Sequence, residues 1–152
     1  MGIEIKHGGR IRKSFATPSA YSTYDTWEQG QVLTITTASV IQRAKAGDLG
    51  VLGLALEYRR SATDDPTKFG MQTGKGSMVL DETEVILSDD AIESGLTYAV
   101  NDKLYVNTNG KVSKSGGAGV NTTTHPSIGK VLEVIEQGVE ICALFQVQEV
   151  KT

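Results

Sequence analysis

The sequence predicts a mainly β fold, a small β-barrel or β-sandwich with little helix. Three observations lead there: short β-rich runs recur from Val32 onward, helix starts are scarce, and a hairpin followed by an apolar-glycine strand occurs in both halves of the chain. At 152 residues the chain is long enough for one domain that buries about two-thirds of its unfolded surface.

Residues 1–27 show no sustained helical or strand period. Lys6, Arg10, Arg12 and Lys13 against Glu4 give residues 1–13 a net charge of +3, leaving −6 for the rest of a chain whose total is −3. Phe15, Tyr21, Tyr24 and Trp27 are four of the nine aromatic residues. Arginine and aromatic side chains are enriched where protein interfaces lose water. Residues 1–27 therefore read as an extended basic and aromatic N-terminal arm, joined to a β domain over 28–152. The candidate partner contacts are Arg10, Arg12, Lys13, Phe15, Tyr21, Tyr24 and Trp27. A plainer reading stays open at this point, in which the rings only cover one end of the barrel or sandwich.

After Gly30 the expected strands are Val32–Thr37, Val40–Arg43, Leu49–Tyr58, Met78–Leu80, Glu84–Leu87, Thr97–Val100, Lys103–Asn107, Lys111–Lys114, Ile128–Ile135 and Val139–Val147. Leu33, Ile35 and Thr37 alternate onto one face, as a half-buried strand requires. Between Leu104 and Val112 the pair Asn109-Gly110 supplies two residues that tolerate positive φ, which predicts a hairpin with a type I′ turn. The one helix start, Asp90 with Glu93 three residues on, is stopped by Gly95 after about one turn. Residues 61–77 and 115–126 are rich in Gly, Ser, Thr, Asp and Pro and read as long loops.

An internal repeat aligns Gln31–Thr37 with Asp102–Thr108, Ile41–Arg43 with Val112–Lys114, and Leu52–Glu57 with Ile128–Glu133 after a loop longer by five residues. It suggests two related halves packed together, with Gly53 and Gly129 at equivalent close approaches.

The chemical motifs fail on inspection. Thr73–Ser77 lacks the spacing and the Ser or Thr of a phosphate loop, and Ser115–Gly119 lacks the flanking strand and helix of a dinucleotide fingerprint. The acidic stretch Asp81–Glu84 with Ser88–Asp90 lacks the calcium-loop pattern and reads as a charged strand edge. One cysteine and two histidines are too few for a zinc site, and Cys142, in the apolar run Ile141–Phe145, reads as a core thiol. Asp48-Leu49-Gly50 only faintly echoes the substrate loop of a trimeric β nucleotide hydrolase. No catalytic residue, metal or cofactor is expected, so the chain is read as a non-enzyme. The apolar runs are far shorter than the roughly 20 residues that span a bilayer, and Met1–Lys13 lacks the apolar core of a signal peptide. A cytosolic site of synthesis and no membrane partner are expected. Four basic residues on an acidic body predict no specific nucleic-acid binding.

The run Tyr98–Val106, then Asn109–Lys114, then Ile128–Glu133 and a closing apolar strand resembles the small capsid decoration proteins of tailed bacteriophages, also called cement or head-stabilising proteins. The likeness covers about 50 residues, and Gln31–Glu57 more loosely. It implies a structural virion protein made in the host cytoplasm and placed on the capsid surface. There it would bridge major capsid protein subunits as a homo-oligomer, a dimer or trimer, and stabilise the capsid. A tail-tube or head-tail connector subunit is the alternative.

Overall fold

In a computed structural model, which describes residues 2–7, 11–36, 39–48, 52–60, 75–80, 83–135 and 138–143, the alternating runs pair as antiparallel strands. These are β1 (Ile3–His7), β2 (Ile11–Ala16), β3 (Val32–Ile35), β4 (Ile41–Arg43), β5 (Leu52–Ala55), β6 (Lys75–Val79), β7 (Thr83–Leu87), β8 (Lys103–Val106), β9 (Val112–Ser113), β10 (Gly129–Ile135) and β11 (Gly138–Ala143). One sheet has the order β2-β6-β5-β3-β4 and the other β1-β7-β11-β10-β8-β9. Raising each strand number of the first sheet by five gives β7-β11-β10-β8-β9. The same five-strand unit therefore occurs twice, and β1 is added at the edge of the second copy.

The repeat seen in the sequence is kept in register. Leu33 lies opposite Gly53 and Leu104 opposite Gly129. Thr34 and Ile35 face Gln42 and Ile41, as Tyr105 and Val106 face Ser113 and Val112. The likeness extends upstream of the aligned segment. Glu28 N donates to the Gln31 side chain at 2.7 Å, and Ala99 N to the Asp102 carboxylate at 2.9 Å. Gly30 N donates to Ala55 O at 2.8 Å, and Asn101 N to Val131 O at 2.9 Å.

Because side chains alternate across a strand, each unit has two faces, and the two units stack with the same sense. Leu33, Ile41 and Ala55 of the first unit pack with Phe15, Trp27 and Met78 in a core on its outer face. Their equivalents Leu104, Val112 and Val131 point instead into the main core between the sheets, where they meet Val32, Leu54 and Val79 from the back of the first unit. The equivalents of Val32 and Leu54 are Lys103 and Lys130, both exposed. Lysine there leaves the back of the second unit in water, so the stack ends after two units. Each fully buried Leu or Val contributes about 1.5–3 kcal/mol by leaving water. The sheets form a two-layer arrangement, and among the described residues no closed barrel is found.

Several expectations are corrected. The segment read as an extended arm is built into both sheets: β1 pairs with β7 and β2 with β6. Charge and glycine masked its period, since β1 alternates Ile3 and Ile5 with Glu4 and Lys6. Residues 97–100 are not a strand, because the Ala99–Asp102 turn occupies that stretch. At the β8–β9 hairpin, Gly110 has φ +77° but Asn109 does not share the left-handed region. Gly110 N bonds to Asn107 O and Asn107 N to Lys111 O, giving a three-residue loop closed by a glycine bulge rather than a type I′ turn. Residues 89–91 make a 3-10 turn with Ser88 at the cap, and Glu93 does not return to it. The Glu93 carboxylate accepts instead from Asn107 Nδ2, Ser113 Oγ and Ala118 N, which pins the 115–126 loop to the hairpin. Strand β7 lies between β1 and β11 and is not an edge, and its Thr83 is fully buried. Lys75–Ser77, expected in a loop, belong to β6. The side chain of Cys142, and residues 144–147 of the last expected strand, lie outside the described residues.

Candidate functional site

Residues 17–31 leave β2, cross the outer face of the first sheet and return as β3. What holds them there is Arg59, just past β5. Its Nη1 donates to the carbonyls of Ala20 (2.9 Å) and Asp25 (2.5 Å), and its Nη2 to that of Pro18 (2.5 Å). Trp27 and Arg59 also exchange backbone hydrogen bonds of 2.7 and 2.8 Å. A guanidinium suits this position because its planar fork reaches several carbonyls at once, as lysine cannot. Asp25, itself buried, caps the short 3-10 turn at Thr23–Asp25 through Ser22 and accepts from Gln42 Nε2 at 3.0 Å.

On this frame cations lie over rings. The Arg59 guanidinium is 3.8 Å from the Tyr21 ring centre, Lys45 Nζ is 4.6 Å and Arg43 5.6 Å from that of Tyr24, and Arg60 is 4.1 Å from that of Tyr58. Such stacks contribute about 0.5–1 kcal/mol each at exposed sites. The Tyr24 hydroxyl donates to Thr108 O, and Arg43 donates to the carbonyls of Asn109 and Thr23. These bonds tie the segment to the β8–β9 hairpin of the second unit.

Beside Trp27 is a cleft of about 250 Å³ lined by Thr26, Trp27, Glu28, Gln31, Arg43, Arg59 and Arg60. Three guanidinium groups face one carboxylate. Arg60 Nε donates to both oxygens of Glu28, at 3.0 and 3.1 Å. Burial pulls the pKa of Arg43 and Arg59 down from the ordinary value, a sign that their charge is partly stripped of water. The Arg43 Nε–H is buried with no acceptor, which costs about 1–3 kcal/mol.

Of the seven residues singled out in the sequence, the structure brings Tyr21, Tyr24 and Trp27 to this cluster. Tyr21 is 43% exposed and Tyr24 half-buried, but Trp27 (3%) and Phe15 (7%) are core residues. These two rings therefore do not stand ready as surface anchors. The sheet they cover is apolar on both faces and needs them. Arg10, and the side chains of Arg12 and Lys13, lie outside the described residues. Sequence reasoning missed Arg43, Lys45, Arg59 and Arg60, which fold against the segment from the end of β4, the stretch after it and the stretch after β5. The one available signal was Tyr58-Arg59-Arg60, a ring followed by two adjacent cations. Among the described residues no group of His, Cys, Asp or Glu is arranged to hold a metal ion, and no helix is long and apolar enough to cross a membrane. Neither family models nor curated proteins give a match to this chain.

Proposed function

We propose that the protein is a structural virion component that binds the outer surface of a tailed-phage capsid and stabilises it by bridging major capsid protein subunits. The observation that carries this reading is the set of cation-on-ring stacks, Lys45 on Tyr24, Arg60 on Tyr58 and the buried Arg59 on the exposed Tyr21, in a chain of net charge −3. Tyrosine and arginine dominate the residues that hold protein interfaces together. The resemblance of residues 98–133 to decoration proteins supplies the partner. Many weak contacts of this kind become tight when an oligomer engages several capsid subunits at once.

Deleting residues 1–27 is no test, since β1 and β2 would leave both sheets. The test is co-sedimentation of the intact protein with empty expanded capsids, alongside Tyr21→Ala and Tyr24→Ala. Saturable binding that weakens at least fivefold in these variants is expected. No binding by the folded wild type overturns the proposal. Rings or tubes formed by the isolated protein would also overturn it, in favour of a tail-tube or connector subunit.

A further inference from the structure

We infer that the Arg43–Arg59–Arg60 cleft is a docking socket for an acidic side chain on an extended segment of a partner subunit. The inference rests on the partner-binding role proposed above and adds the chemistry of what is bound.

Charge complementarity comes first. The cleft lining holds three guanidinium groups and one carboxylate, a local excess of positive charge in an acidic protein. Arg43 and Arg59 give their hydrogen bonds to backbone carbonyls of Thr23, Asn109, Pro18, Ala20 and Asp25. A carbonyl satisfies a donor without cancelling its charge; the buried Asp25 offsets part of the Arg59 field and Glu28 part of the Arg43 field, and the remainder acts on an incoming anion.

Glu28 shows how a carboxylate sits in this cleft. Both of its oxygens accept from Arg60 Nε while its own backbone N–H is held by Gln31. An incoming carboxylate would share or displace that contact. The Arg43 Nε–H, buried with no acceptor, is a second unused donor on a residue that lines the cleft.

The cleft favours a peptide carboxylate over a phosphate chain. Its Gln31 and Thr26 side chains are already donating, to Asn109 O and Thr23 O, leaving few free N–H or O–H groups for the many oxygens of a phosphate. At about 250 Å³ the space suits one acidic side chain with its flanking backbone.

Trp27 lines the cleft and is the sole tryptophan, so its fluorescence reports occupancy. The probes are hexaglutamate and linear hexaphosphate, titrated into the intact protein at constant ionic strength. A saturable Trp27 change with hexaglutamate is expected, tighter than with hexaphosphate. Arg60→Gln should weaken it at least fivefold, and Glu28→Gln, which removes one internal carboxylate partner of Arg60, should tighten it at least threefold. Opposite signs at two surface positions cannot come from unfolding. No saturable change, equal affinity in wild type and Arg60→Gln, or tighter hexaphosphate binding overturns the socket. Capsid binding that Arg60→Gln leaves unchanged overturns the socket alone. Hexaglutamate binding by a protein that ignores capsids overturns the capsid reading alone.

Discussion

Asn101 stands in the second unit where Gly30 stands in the first. Both have left-handed backbone, at φ +73° and +85°, and both donate their N–H to the strand that pairs beside them. The turn before β3 and before β8 demands this conformation, and asparagine is the side-chain-bearing residue that adopts it most readily. Substitutions at the two positions should differ. Gly30→Ala combines the left-handed penalty with a Cβ placed 2.5 Å from Ala91 Cβ and 2.8 Å from Gly2 O, for an expected loss of about 2–4 kcal/mol. Asn101→Gly should change stability by less than about 1 kcal/mol. Urea midpoints measure both.

Ser39 and Gly110 make a second such pair. Each closes its hairpin, with Ser39 N bonded to Thr36 O and Gly110 N to Asn107 O, and each has positive φ, +62° and +77°. Serine pays about 1–2 kcal/mol in that region, while glycine costs about 0.5–1 kcal/mol in unfolded-chain entropy. Ser39→Gly should therefore stabilise by roughly 0.5–1 kcal/mol. Gly110→Ser should destabilise, because its Cβ would lie 2.5 Å from Arg43 Cγ. A Ser39→Gly variant less stable than wild type in a denaturant titration would refute the equivalence.

Stability should fall at both ends of the pH scale for identifiable reasons. Hydrogen bonds from Lys114, at 2.6 Å, and from Ala99 N hold the Asp102 carboxyl below its ordinary pKa. A depressed folded-state pKa contributes stability above the unfolded value, near 4, and that contribution disappears as pH drops through the folded value. Asp102→Asn should flatten the stability curve below about pH 4.

Tyr98 behaves in the opposite sense. Burial, and then the nearby Glu93 carboxylate, raise its pKa to about 12. The neutral phenol is the folded form, so its contribution is complete below about pH 10 and is lost as pH rises through the folded value. Tyr98→Phe should flatten the curve above about pH 10 while costing about 1 kcal/mol at neutral pH for the lost bond to Glu93 O.

Arg59→Lys tests the fastening of residues 17–31. One ammonium cannot reproduce the fork to Pro18, Ala20 and Asp25, and about 2–3 kcal/mol of stability should be lost. A red shift of Trp27 fluorescence under native conditions should accompany the loss. An unshifted spectrum would mean that the segment is held by its aromatic core instead.

The β class, most strand positions and the internal repeat were legible in the sequence because side-chain alternation and turn residues are local signals. Leu33, Ile35 and Ile41 announce their strands without knowledge of what covers them. The N-terminal strands were not legible, since charged residues such as Glu4, Lys6, Arg12 and Lys13 and nearby glycines diluted the alternation. The Asn109-Gly110 segment was legible as a turn, but its type depended on the Asn107 side chain, which accepts from Asn109 N and Lys111 N.

The sequence by itself determined a β protein of two similar units bearing a basic and aromatic N-terminal segment. Only the tertiary structure decided that the units stack with the same sense, that Phe15 and Trp27 are spent on the outer face of the first sheet, and that Arg43, Arg59 and Arg60 converge beside them. The reason is range. Alternation, turns and register are set by neighbours a few residues apart. Which face a sheet buries, and which cations meet which rings, depends on contacts such as Arg59 with Pro18 and Tyr24 with Thr108, between residues far apart in the chain.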